Sequence, residues 1–119
     1  MGNLLIIELG MGADLHGQNI TKASIRAVEN AIQRISLPGL GSLALNNDLN
    51  NMKVNDKLAI PCGHESLDLN QVREIFPYGK ISVEIVAGGM LTSSGVFLSD
   101  KGDKNDLIYI VNAAVEVSY

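Results

Sequence analysis

Two side chains have the types and the spacing for proton chemistry. They are Asp14 and His16, in the stretch Gly10-Met11-Gly12-Ala13-Asp14-Leu15-His16-Gly17-Gln18-Asn19. Residues two apart in an extended segment project to one side. A carboxylate beside an imidazole fixes its tautomer and orientation, as a general base, a general acid or a metal ligand requires. Gly10, Gly12 and Gly17 give the backbone access to φ > 0 and to close approach by a ligand. The expected roles are therefore His16 as acid or base, Asp14 as its orienter, and Lys22 as the neutraliser of charge on a small anionic or polar ligand. Gly10, Gly12, Gly17 and Gln18 form the ligand-binding backbone in this reading. The competing reading is structural: Asp14 bonds loop amides, His16 bonds a carbonyl, and the pair ties down a turn.

The setting, an apolar strand followed by a glycine-rich stretch and a helix, is that of the nucleotide fingerprints, and both fail. G-x-G-x-x-G needs a third glycine where Leu15 stands. G-x-x-x-x-G-K-[S/T] fits Gly12 and Gly17, but Gln18 and Asn19 replace the lysine and the hydroxyl that meet phosphate and Mg²⁺. Anion binding by loop amides at a helix start survives as an idea, with Lys22 and Arg26 adding positive charge and Asp14 opposing it.

Other groups are weaker. His64 lies in Pro61-Cys62-Gly63-His64-Glu65, just past a strand-like run. If that loop and the first emerge at one sheet edge, Asp14, His16, Cys62 and His64 converge as a Zn²⁺-type donor set, although neither C-x-H nor D-x-H is an established zinc spacing. Thr92, Ser93 and Ser94, set among glycines, offer hydroxyl ligands, with Thr92 and Ser93 counted to the ligand site; a turn between strands explains them equally well. Tyr78 reads as a packed turn residue, with a ligand-facing phenol as the alternative. No motif assigns a cofactor, and the metal stays unassigned.

These residues hang on a simple order of elements. Asn3 to Leu9 reads as a strand covered on both faces or central in its sheet, because Leu4 to Ile7 are consecutively apolar. Ile25, Val28, Ile32 and Ile35 recur at helical spacing, with Ala27 and Ala31 widening the stripe, so a helix is predicted from Ile20 to Ile35, capped by Asn19 or Thr21. Ser36-Leu37-Pro38-Gly39 ends it. Leu40 to Asn51 is a short helix or an irregular loop. Met52 to Cys62 is a strand ended by Pro61. Ser66 to Phe76 is a second helix, capped by Ser66 or Asp68, with Leu69, Val72, Ile75 and Phe76 inward. Pro77-Tyr78-Gly79 is a turn. Ile81 to Val86 alternates as a half-buried strand, a short Val96-Phe97-Leu98 strand is expected, Ser99 to Asp106 is a surface loop, and Leu107 to Val117 is the last strand.

The fold class expected is α+β: a single domain over residues 1–119, built as a two-layer sandwich. Two main helices lie on one face of a four- or five-stranded sheet, in a ferredoxin-like arrangement. A 46% hydrophobic and 18% charged composition fits a folded core rather than a disordered chain. A net charge of −4, with only 4% aromatic residues, argues against nucleic acid as a partner. One cysteine excludes an internal disulfide framework and suits a reducing compartment, and the apolar run at Leu4 is too short for a signal or a membrane span; a cytoplasmic, non-membrane protein is expected. Low charge with many aliphatic residues also suggests apolar surface covered by other subunits, hence a homo-oligomer.

The motif Gly10-x-Gly12-x-Asp14-x-His16-Gly17, continuing through Gln18-Asn19-Ile20-Thr21-Lys22-Ala23, resembles the signature of a small family of conserved hypothetical proteins named after a Listeria protein. The turns Ser36–Gly39 and Phe76–Gly79 and the Gly88-Gly89 pair are similar to it as well, so the resemblance spans essentially the whole chain. It implies attention to Gly10, Gly12, Asp14, His16 and Gly17 and supplies no reaction. Two functions follow from the residues. One is a small-molecule-binding protein or enzyme acting on a small polar metabolite at an Asp–His site. The other is a non-catalytic structural or regulatory homo-oligomer in which the motif is an assembly turn.

Overall fold

The computed structural model describes residues 4–33, 51–76 and 78–118. Its first element, β1 (Leu4–Asp14), is one strand of 11 residues that runs straight through Gly10 and Gly12. Then come α1 (Ile20–Ile32), β2 (Lys53–Ile60), α2 (Leu69–Arg73), β3 (Lys80–Ala87), β4 (Met90–Ser93) and β5 (Leu107–Ser118), with 3-10 turns at His64–Ser66 and Ser99–Lys101. The sheet order is β1-β5-β2-β3, and β4 pairs with β5. β2 and β3 are parallel and every other pair is antiparallel.

This is the expected α+β class, with two helices and a five-stranded mixed sheet among the described residues. Its order of elements, β-α-β-α-β-β-β, departs from the β-α-β-β-α-β order of a ferredoxin-like fold. The reason is the segment containing α2. It carries the chain back along the sheet before β3 begins, so β3 lies parallel to β2, where a hairpin would have made the pair antiparallel.

Gly10 and Gly12 set the distance between the layers. Ala23, Ala27 and Ala31, four apart on α1, form a flat buried stripe that lies on them. A Cβ on Gly12 would stand 2.2 Å from Ala27 N and 2.3 Å from Ala23 O; one on Gly10 would stand 2.3 Å from Ala27 O. Both are far inside van der Waals contact, which is about 3.5 Å or more between heavy atoms. Around this seam Ile20, Val28, Leu58, Ile60, Val72 and Val111 fill one part of the core. Met52, Val54, Val115 and Val117 fill the other.

Local signals explain most boundaries. The Asn19 side chain caps α1 by accepting from Lys22 N at 3.1 Å. Asp68 caps α2 by accepting from Asn70 N and Gln71 N. Gly79 takes φ +97 in its turn, within 2.9 Å of Met52 O for an added Cβ. Four expectations change. α1 ends at Ile32, and the Ser36–Gly39 turn with the stretch 40–50 lies outside the described residues. α2 is five residues, starting at Leu69 after a separate 3-10 turn at His64–Ser66, and Leu69 is exposed and not inward. Val96 to Leu98 forms no strand. Among the described residues β1 is neither central nor doubly covered; it is an edge strand with Ile7, Leu9 and Met11 in the open.

The β2 alternation also turns Asp56 inward with Val54, Leu58 and Ile60. Its register partners are Val83 of β3 and Val115 of β5. It is completely buried, and neither carboxylate oxygen meets a hydrogen-bond partner among the described residues. Burial without compensation pushes its pKa up from 3.8 to about 7.

Two outcomes follow. Gly12→Ala forces a methyl into the α1 backbone and is expected to lower the unfolding free energy by about 3 kcal/mol or more in urea titrations; a loss below about 1 kcal/mol would contradict the packing described. For Asp56 the folded pKa lies above the unfolded value of about 3.9, so between these values the native state holds a proton that the unfolded state releases. Stability therefore falls as pH rises from about 4 to about 7, by as much as roughly 4 kcal/mol. Asp56→Asn should flatten that slope, and an unchanged slope in the variant would refute it.

Candidate functional site

The antiparallel register of β1 and β5 sets Asp14 beside Tyr109, so the chain leaving β1 meets the loop that enters β5. Asp14 is buried, and its side-chain partners among the described residues are Asn19 and Arg26, not His16. Its Oδ2 accepts from Asn19 N at 2.7 Å, and its Oδ1 lies 3.3 Å from Arg26 Nη1, which also donates to Ala13 O at 2.7 Å. A carboxylate there closes the turn and complements the positive end of the α1 dipole.

The carboxylate that meets His16 is Asp103. His16 Nδ1 stands 2.8 Å from Asp103 Oδ2. The same carboxyl accepts from Gly17 N through Oδ1 and from Leu98 N at 3.0 Å through Oδ2. The Asp103 side chain is 2% exposed and that of His16 is 32% exposed. The Gly17 N–H bond and then the His16 bond hold the Asp103 carboxyl below its usual pKa, against the smaller opposing effect of desolvation. An ionised carboxylate only accepts, so His16 Nδ1 carries the proton of this bond, and in the neutral ring Nε2 holds the lone pair.

Gly17 and Gln18 follow with φ +96 and +49, a left-handed pair that reverses the chain. Gln18 then stitches the same loop: its Oε1 accepts from Lys104 N at 2.9 Å, and its Nε2 donates to the Asn105 side chain and to Leu107 O. Beside this turn a polar cleft of about 460 Å³ opens at the ends of β1 and β2, around the start of β5. Gly17, Asn19 and Ile20 wall one side, Cys62 and Ser66 the other, and Tyr109 and Lys104 border it. Burial, followed by the neighbouring Cys62 thiol, raises the Tyr109 phenol above its ordinary pKa.

The structure sorts the sequence-predicted residues. His16, Gly17 and Gln18 share one turn; Asp14 supports it from below. Gly10 and Gly12 lie inside β1 under α1, where the space beside them is filled by helix backbone. Lys22 is exposed in the first turn of α1. Thr92 and Ser93 sit on β4 opposite Ile108 and Leu107, with β5 between them and β1. The Ser93 hydroxyl bonds the Asp106 carboxylate, and Ser94 Oγ donates to Asp106 O, so these hydroxyls close the β4–β5 connection and do not line the cleft. Cys62 borders the cleft and His64 is exposed on its 3-10 turn. Among the described residues no three His, Cys, Asp or Glu side chains gather as cation ligands, because Asp14 is engaged by Asn19 and Arg26 while His16 is engaged by Asp103. Asp103 is the residue that sequence reasoning missed. Asp100, Asp103 and Asp106 stand in one loop, and nothing local distinguishes the middle one.

The family model described as conserved hypothetical protein (Lin0512_fam) matches residues 4–117. The chain belongs to that family. The resemblance carried by the glycine–Asp–His motif pointed to it. No curated protein matches the chain. Among solved structures, the crystal structure of an FtsZ-like protein of unknown function from Nostoc punctiforme PCC 73102 is similar, with 35% identity over 98% of this chain and 94% of that one and a TM-score of 0.74. No helix among the described residues is long and apolar enough to cross a membrane.

Asp103 gives a prediction with a sign. Its folded pKa lies below the unfolded value, so its contribution to stability is fully present above about pH 4 and is lost as pH falls through the lower, folded value. Thermal melts taken downward from there should show the wild-type chain losing stability more steeply than Asp103→Asn. Parallel acid limbs would rule out this carboxylate as the anchor of the turn.

Proposed function

We propose that the chain binds a small polar molecule in the cleft between the β1–α1 and β2–α2 connections, and that His16 exchanges a proton with it. The observation that carries this reading is the His16–Asp103 pair: a buried carboxylate with three donors holds Nδ1, and the one-third exposed ring directly precedes Gly17 and Gln18, which line the polar cleft. Fixing one ring nitrogen orients the other, the arrangement general acid–base groups use. Tyr109 and Ser66 supply hydroxyls at the cleft for orientation, and Lys104 and Glu65 place charges of both signs in its lining. The reaction class is proton transfer on a ligand small enough for about 460 Å³.

A second reading rests on a different observation. His16, Gly17 and Gln18 all bond the segment 103–107, which makes the motif a clasp between the end of β1 and the start of β5. In that reading the turn serves folding alone.

One experiment separates them. Small carboxylates, phosphates and amides, each at about 1 mM, are titrated against the labelled chain while the His16 ring and the amides of Gly17, Ile20 and Gly63 are followed by NMR; detection at that concentration reaches millimolar dissociation constants. Binding at the cleft is expected to move the ring and these amides together, and His16→Gln, with fold retained, to weaken it by about tenfold, near 1.4 kcal/mol. A panel that moves none of these signals, together with a large fall in melting temperature for His16→Gln, would leave the clasp.

A further inference from the structure

The outer face of the sheet carries large apolar side chains that no described element covers. The alternation that points Gly10 and Gly12 at α1 points Ile7, Leu9 and Met11 away from it, at 52%, 63% and 60% exposure. Strand register extends two rows across the face. One runs Met11, Asn112, Ala59, Val86; the other runs Leu9, Ala114, Lys57, Glu84. The face is thus a ridge and a trough. β1 contributes the ridge, and the small side chains of Ala59 and Ala114 floor an apolar groove of about 530 Å³ beside it.

Three features argue for what fits there. First, ridge and groove lie on the same face, so a copy related by a two-fold axis can seat its ridge in this groove while receiving the other ridge in its own; an isologous contact needs that self-complementarity. Second, the face carries both signs of charge, with Lys57 Nζ 3.8 Å from Glu116 Oε1 and Glu84 in the same row as Lys57. That mixture suits a like surface better than an anionic lipid surface, and a chain of net charge −4 is repelled by the latter. Third, four strands spaced about 4.8 Å apart and about ten residues long present roughly 600 Å², close to the ~800 Å² that each partner buries in a standard interface. The free edge of β1 is a poor alternative for association. Asn30 Oδ1 accepts from Met11 N at 3.0 Å and Arg26 donates to Ala13 O, so α1 side chains occupy its ladder groups.

We infer that the outer sheet face is the docking surface for a second copy of this chain, with Leu9 and Met11 of each copy seated over Ala59 and Ala114 of the other. The inference is independent of the cleft at His16. It is tested by light scattering after size exclusion on the full chain at about 100 μM, a concentration that populates complexes of micromolar affinity. The wild-type chain should show at least twice 12.7 kDa. Leu9→Glu combined with Met11→Glu should return it to 12.7 kDa with an unchanged circular dichroism spectrum. Leu69→Glu, on the helix layer, should leave the larger mass intact. A wild-type monomer overturns the inference, and one that also pellets with phosphatidylcholine vesicles reassigns the face to lipid. A folded double variant that keeps the larger mass overturns it too. Should the double variant not fold, the Met11 methyl resonance of the wild-type chain decides: it must shift on dilution over the range in which the mass falls, and an invariant signal refutes docking at this face.

Discussion

The constraint on which the other parts depend is the close approach of α1 to β1. A glycine inside a strand weakens it by roughly 0.5–1 kcal/mol relative to alanine, and β1 carries two within three residues. They are tolerated because the helix fills the space that their side chains would take, and the alanine stripe on α1 is the matching half of that contact. With the layers this close, Arg26 and Asn30 reach over the sheet edge to Ala13 O and Met11 N. The N-terminus of α1 is then held where Asp14 can take the Asn19 N–H. The glycines therefore govern the site from a distance, by fixing the helix that the turn must enter.

Asp103 completes the turn from the other end of the sequence. Because β5 runs antiparallel to β1, the loop entering β5 necessarily lies at the exit of β1, 86 or 87 residues away along the chain. One carboxylate accepts from Gly17, His16 and Leu98, and the low exposure of the group strengthens each of these bonds. The contacts that fasten the loop are the contacts that orient the imidazole. A fastened turn and an oriented imidazole are thus the same physical object, and only the presence of a ligand at the cleft divides the two functional readings.

Much of this was legible in the sequence, and what was not has particular causes. The helix at Ile20 followed from its 3.6-residue period and its cap, and the strands at Ile81 and Leu107 from their apolar β-rich runs. The glycine motif was misread in its first half because glycine permits two different things. Left-handed backbone is what Gly17 uses; room for a neighbouring backbone is what Gly10 and Gly12 use, and the latter depends on α1 and leaves no local mark. Four consecutive apolar residues from Leu4 suggested cover on both faces, yet among the described residues only one face of β1 is covered, and an apolar run does not say what meets the other. The pairing of His16 with Asp103 rather than Asp14 is a consequence of strand order, which spacing within a motif does not encode. Asp56 was passed over for the opposite reason: the alternation of β2 does place it inward, but its polarity reads locally as an interruption.

Asp56 and Asp103 show how one fold treats two buried carboxylates in opposite ways. Asp103 has three donors and is kept ionised; Asp56 lies between Val83 and Val115 with none among the described residues and is driven toward its neutral form. The difference follows the layers. At the β1 side the connection into α1 brings the Gly17 N–H and an imidazole to the carboxylate, and the loop before β5 adds the Leu98 N–H. Over β2 and β3 the smaller α2 and the turn after it bring Val72, Ile75 and Phe76 to the core, and these apolar side chains give a carboxylate no hydrogen bond. Their pH ranges are consequently separate, Asp103 acting on stability below about pH 4 and Asp56 between about 4 and 7. Any proton transfer at His16 near neutrality is therefore measured on a fold whose stability is itself changing through Asp56. An Asp56→Asn background removes that second titration, so a pH profile recorded in it reports the cleft rather than the core.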